Sequence, residues 1–128
     1  MPNVATSDSF GDLAAIPPQQ IWDGVVVRAV HGEQMTMALV ELAPNSHVPD
    51  HHHVSEQVGV LVRGSMRLRV DGESRELSPG DTWRISSDIP HEAHAGPDGA
   101  LAVEIWSPPR EDWDAFEGEE PRPPGWPD

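Results

Sequence analysis

The chain has 128 residues, 37% of them hydrophobic, which suits one domain around a single core. Its 22 acidic and 8 basic side chains leave a formal charge of −14, which predicts no nucleic-acid partner, no anionic membrane partner and no long-range steering of an anionic substrate. With no cysteine, disulfides, thiolate metal sites and cysteine nucleophiles are excluded, and any metal falls to His, carboxylate or amide ligands.

No apolar run is long enough to span a bilayer. The opening "MPNVATSDSFGDL" lacks the basic start and apolar centre of an export signal, so a cytoplasmic location is expected. Residues 1–19 read as a loose polar arm ending near "IPPQQ". From Ile21 the pattern is β: "IWDGVVVRAV" and "MTMALVELA" are β-branched or apolar runs parted by the turn-like "HGEQ". A loop at Pro44–Asn45 leads into "PDHHHVSEQ". "QVGVLVRGSMRLRV" then reads as a strand pair broken at Arg63-Gly64, with Met66, Leu68 and Val70 alternating with Arg67 and Arg69 as in a half-buried strand.

Asp71-Gly72 is a two-residue hairpin signal. "SPGD" is a turn, "TWRI" a strand, "SSDIPH" a turn and "ALAVEIW" the last clear strand. Helical periodicity is faint and confined to "REDWDAFE", and the tail "EGEEPRPPGWPD" is acidic and proline-rich, as extended or disordered segments are. Short strands and frequent turns in one domain predict an all-β sandwich or small barrel. The expected organisation is an arm over 1–19, a β-barrel over 20–109 and a tail over 110–128.

Three adjacent histidines fit a tag, a solvated loop or a metal site. On a strand, alternate residues share a face, so His51 and His53 converge while His52 turns away. Gln57 shares their parity and Glu56 does not. A later histidine, His91, returns after two hairpins. Three imidazoles and an amide oxygen suit a borderline divalent ion with one or two positions left open. Of the remaining histidines, His94 reads as a rim residue, His47 lies in the loop before the triplet, and His31 reads as a turn residue.

The pattern His51-x-His53-x3-Gln57-x6-Gly64, followed by Pro79-Gly80-Asp81 and Asp88-Ile89-Pro90-His91, resembles the two motifs of the cupin superfamily. Gln57 stands where those motifs usually carry Glu, and Asp88 where Gly is common. The resemblance spans Gln20 to Pro109 and implies a single small jelly-roll β-barrel with a metal in its mouth. The implied ligands are His51, His53, Gln57 and His91, the ion is one of Ni, Zn, Fe, Mn or Co, and a homodimer formed by exchange of N-terminal strands is implied as well. Gln57 in place of a carboxylate leaves more of the ion's charge to act on a bound oxygen.

Downstream, "EIWSPPR" places Glu104 and Trp106 on one strand face, with a double proline turning Arg110 back toward the mouth. With "SEQ" and "SPPRED", this segment is similar to the KdgF-like small cupins, which act on unsaturated monouronates. That resemblance implies a ring-opening isomerase or lyase for a small sugar acid. Glu104 would move a proton, Trp106 would stack on the substrate, and Arg110 would grip its carboxylate. Three alternatives stand beside it. One is a metal-dependent polyketide cyclase whose apolar pocket is lined by Trp83 and Trp106, one is a dioxygenase, and one is a non-enzymatic small-molecule binding module.

Overall fold

A computed structural model describes residues 9–126. The opening of the polar arm and the last two residues of the tail lie outside that range. Eight antiparallel strands follow one another along the chain: β1 (Gln19–Trp22), β2 (Val25–His31), β3 (Thr36–Leu42), β4 (His47–His51), β5 (Glu56–Val70), β6 (Glu73–Leu77), β7 (Thr82–Ile85) and β8 (His91–Ser107). Short 3-10 turns at Leu13–Ala15 and Glu111–Ala115 flank them. The segment "REDWDAFE" therefore forms a single tight turn rather than an α-helix. No helix among the described residues is long and apolar enough to cross a membrane.

The sheet runs β1-β2-β3-β8-β5-β6, with β4 paired to β8 and β7 paired to β5. Two long strands carry the architecture. The later half of β8 pairs with β3 and with the start of β5, and its earlier half pairs with β4 and with the end of β5. β5 and β8 thus belong to both walls of a jelly-roll β-barrel, which makes the fold all-β.

Two strand boundaries differ from the sequence expectation for one physical reason. β5 is continuous through Arg63-Gly64, where the register shifts between Leu61 and Arg63 and again between Gly64 and Met66. Those bulges bend the strand and switch the inward face from odd positions (Gln57, Leu61) to even ones (Met66, Leu68). Gly64 sits at φ +81, where a Cβ would meet the carbonyl of Gly99, so only glycine fits. β8 likewise starts at His91, well before "ALAVEIW", and passes from inward-facing His91, Ala93 and Ala95 to Ala100, Ala102 and Glu104 across "GPDG". Glycine and proline masked that half of the strand in the sequence.

The Asp71-Gly72 hairpin is as expected, with both residues at positive φ, 49 and 84. The core is aliphatic at one end, with Val25, Val27, Val40, Leu42, Leu61 and Leu68 fully buried. On the outer face, Val30, Met37, Ile105 and Val58 form one exposed apolar row in register across β2, β3, β8 and β5. The tail lies against the barrel. Arg28 donates to the Arg122 carbonyl at 3.0 Å, Glu119 N–H to the Pro18 carbonyl at 2.7 Å, and Gly125 N–H to Glu41 at 3.2 Å.

Candidate metal centre

The triplet does not lie on one strand. β4 ends at His51, His53 sits in the connection, and Gln57 is the second residue of β5. The outcome is nonetheless the one alternation predicts. His51 pairs directly with His91 across β4 and β8. The ring centroids lie 4.2 Å (His51–His91), 4.9 Å (His53–His91) and 5.5 Å (His51–His53) apart, and one nitrogen from each lies within 4.8 Å of the others. His52 points outward, its ring 3.5 Å from Asp88. Gln57 is buried, and Glu56 is exposed.

Hydrogen bonding fixes what these nitrogens offer. Each Nδ1 faces a backbone carbonyl: His51 that of Pro49 at 2.7 Å, His53 that of Ser55 at 2.8 Å, and His91 that of Ile89 at 2.8 Å. A carbonyl only accepts, so all three Nδ1 carry the proton and all three Nε2 present a lone pair. Gln57 is oriented in the same sense. Its Nε2 donates to Glu104 Oε1 at 2.6 Å, which leaves its Oε1 3.1 Å from His53 Nε2. With that tautomer, two acceptors face each other, and His91 Nε2 is buried without a hydrogen-bond partner. Four lone pairs converge with no donor among them. Such a set is satisfied by a cation, and N3O donors with open positions fit a borderline divalent ion.

Electrostatics keep those lone pairs available. Burial is the largest cause holding all three imidazoles below their ordinary value, and it brings His91 down to about 4. The positive charge of Arg110 pushes each in the same direction. The rings are therefore neutral at pH 7.

Glu104, Trp106 and Arg110 come to the same place, but not as an exposed rim. Glu104 is fully enclosed, and its Oε1 accepts from both Gln57 and Trp83 Nε1, the latter at 2.8 Å. Burial pushes its carboxyl up, while the bonds from Gln57 and Trp83 and the charge of Arg110 pull back. Trp106 is 3% exposed and meets Trp113 edge-on at 4.8 Å, so it is a wall of the interior rather than an open stacking plate. Arg110 lies 4.6 Å over the Trp113 ring and is gripped by Asp112 through Nε at 3.0 Å and Nη2 at 2.8 Å.

Trp83 departs from its expected role. It does not line the cavity beside the histidines. Its indole lies flat against Gly59, where a Cβ would come within 2.6 Å of the ring, and braces Glu104 from behind.

A partly open cavity of about 60 Å³ is bounded by His51, His91, Gln57, Glu104, Arg110 and Trp22 among apolar side chains. A larger groove of about 460 Å³ lies on the outer face under the tail and touches none of the histidines. Of these two spaces, only the smaller is lined by His51 and His91.

A profile of the Cupin domain matches residues 38–106, more than half of the chain. The chain belongs to the cupin family. Among relatives of this cupin, the pectin degradation protein KdgF of Dickeya dadantii (strain 3937) is 23% identical over 99 residues, 76% of this chain and 90% of that protein. The solved structure of KdgF from Halomonas sp. is 26% identical, covers 81% of this chain and 96% of its own, and superposes with a TM-score of 0.75. An RmlC-like cupin from Shewanella frigidimarina NCIMB 400 is 23% identical and covers 82% and 95%, with a TM-score of 0.76.

Three cupin residues at the site escaped the sequence reading: Trp22, whose ring lies 4.9 Å from His51, Trp113 and Asp112. Trp22 belongs to a four-residue strand and the other two to a segment that reads as tail. Only the run "SPPREDW", which sets an acid and an aromatic just after Arg110, carries a local signal.

Proposed function

We propose that this cupin is an enzyme that opens the ring of a small unsaturated uronate, using a divalent transition metal (Ni, Zn, Fe, Mn or Co) held by His51, His53, His91 and Gln57. The observation that carries the reading is the convergence of four lone pairs beside an enclosed carboxyl and a clamped guanidinium. The likeness to KdgF supports the choice of substrate. When bound, the metal supplies Lewis-acid stabilisation of a developing oxygen anion.

The rest falls to the chain. Ring opening moves a proton from the anomeric hydroxyl to an enol carbon as the ring C–O bond breaks, with no net change in composition. Glu104 is suited to carry that proton, because burial raises its carboxyl and its Oε2 is free of the bonds that fix Oε1. Asp112 takes Nε and Nη2 of Arg110, so a substrate carboxylate would be met on the Nη1 edge. Trp106 and Trp113 keep that guanidinium in place and exclude water around it.

The test is turnover of an unsaturated uronate, followed by loss of the ultraviolet absorbance of its conjugated enol ether. Activity that survives Gln57→Ala or His91→Ala would rule out the metal mechanism. The apolar lining of the cavity favours a second reading, cyclisation or oxygenation of an aromatic substrate, and oxygen uptake with a diketone would point to it. A homodimer in the cytoplasm belongs to the proposal too. The exposed row Val30, Met37, Ile105 and Val58 supports self-association, and a monomeric sedimentation coefficient would remove that part alone.

A further inference from the structure

Two histidines outside the cavity are not scattered. His47 on β4 and His94 on β8 are direct cross-strand partners on the outer face, their rings stacked at 4.2 Å with planes 7° apart. Glu92 lies two positions before His94, hence on the same face. Its Oε2 is 2.6 Å from His47 Nε2 and 3.8 Å from His94 Nε2. One donor atom from each of the three lies within 4.8 Å of the others.

We propose that His47, His94 and Glu92 form a second, solvent-facing site for a borderline divalent metal such as zinc, nickel or copper, with water completing the coordination. Two imidazole nitrogens and one carboxylate oxygen are a donor set that these ions take. Ligand atoms at ~2.0–2.1 Å from a tetrahedral ion stand about 3.4 Å apart, and the two carboxylate–imidazole spacings bracket that figure. Both rings are about half exposed, 46% and 54%, so small side-chain rotations close the set.

The present arrangement leaves one oxygen shared between two imidazoles. His47 takes it, and among the described residues His94 Nε2 makes no hydrogen bond of its own. A cation between the three satisfies both rings at once, each imidazole offering Nε2 and keeping its proton on Nδ1.

The neighbours on that face bear on the charge. Arg69 Nη2 holds Glu92 Oε1 at 2.6 Å, which turns Oε2 toward the imidazoles, and it also lies 3.9 Å from Asp50. Arg67, the cross-strand neighbour of His94, is paired with Glu76 at 2.7 Å. Each arginine is thus matched by an acid, and the chain's net charge of −14 favours cations overall. Only Glu92 is largely covered, at 16% exposure, and both rings stand about half in solvent, so this site binds more weakly than one in the mouth.

The experiment is calorimetric titration of the metal-free full chain with zinc chloride. Wild type is expected to take up zinc in a tight and a weak phase. His47→Ala/His94→Ala should remove the weak phase alone, and Glu92→Gln should weaken it about tenfold or more. His51→Ala/His53→Ala should remove the tight phase and keep the weak one. A weak phase that persists in His47→Ala/His94→Ala, or its absence from wild type, overturns the outer site. The two sites fail separately: a single phase lost only in His47→Ala/His94→Ala would uphold this site and remove the inner one. His47→Ala/His94→Ala replaces two half-exposed side chains, so that comparison stands even where the inner variant does not fold.

Discussion

β4, β8 and the connection from β4 to β5 build two histidine clusters back to back. Facing inward, His51, His53 and His91 are half or fully buried, each with Nδ1 tied to a backbone carbonyl and Nε2 aimed at one point. Facing outward a few residues away, His47 and His94 are about half exposed and share one oxygen of Glu92. Residue type is the same in both. On β8 parity separates His91 from His94, and on β4 the register shift between Val48 and His51 turns two residues of like parity to opposite faces. Burial makes the difference, because it sets the protonation of the inner rings, supplies the backbone carbonyls and puts an acid and a guanidinium alongside. The outer cluster has geometry without enclosure, which is enough to bind an ion and not enough to exclude water from a reaction.

The contrast breaks most sharply at a ligand. His91→Ala is expected to lower metal affinity by at least ~100-fold and abolish turnover, whereas His94→Ala leaves turnover intact. Elemental analysis with a rate assay checks both, and equal losses would erase the distinction between the clusters. Next in size, Glu104→Gln should keep the metal but cost roughly 10²–10⁴-fold in kcat, because an amide still meets its neighbours without moving a proton. Full activity in that variant would assign the proton to another group. Arg110→Lys should raise KM about tenfold with a smaller change in kcat, since lysine offers a point charge where the fork of donors is stacked on Trp113.

Acid provides a subtler probe. His91 titrates near 4 in the folded protein against an ordinary 6.5, so on acidification the unfolded chain binds its proton first. The stability this ring contributes is complete above about pH 6.5 and is lost as pH falls toward 4. Glu104 acts with the opposite sign: its raised carboxyl favours the folded state below its unfolded value and loses that contribution as pH rises through the folded one. The test is therefore a difference. Urea midpoints of the metal-free protein at pH 7 and pH 5 should lie closer together in His91→Asn than in wild type, and an unchanged gap would contradict the assignment. At the small end, His47→Ala should move stability by less than about 0.5 kcal/mol in the absence of metal, as surface substitutions usually do.

The inner cluster was legible in the sequence because its information is local. His51, His53 and Gln57 fall within one short segment, and "DIPH" marks His91 by its turn. Even so, the parity argument reached the right faces although β4 stops at His51. Glu104 and His91 both face inward at opposite parity, which follows only from the switch of face in β8 across Gly96–Gly99. No periodicity argument anticipates such a switch. The enclosure of Trp106 and the bracing role of Trp83 depend on Trp113, which comes from a segment that reads as tail, and on the missing side chain of Gly59. The outer cluster needed the register of His47 against His94, a pairing between strands that lie far apart in the chain.

The carbonyls of Pro49, Ser55 and Ile89 carry one last consequence. In many metal sites the group that orients a ligand histidine is another side chain, and a single codon change can remove it. Here the orienting group is the main chain, two residues from each ring, and every amino acid at those three positions would supply the same oxygen. The tautomers are thus insulated from mutation: substitutions can drift through the flanking loops, and alter what enters the mouth, without disturbing which nitrogen of each ring is offered there.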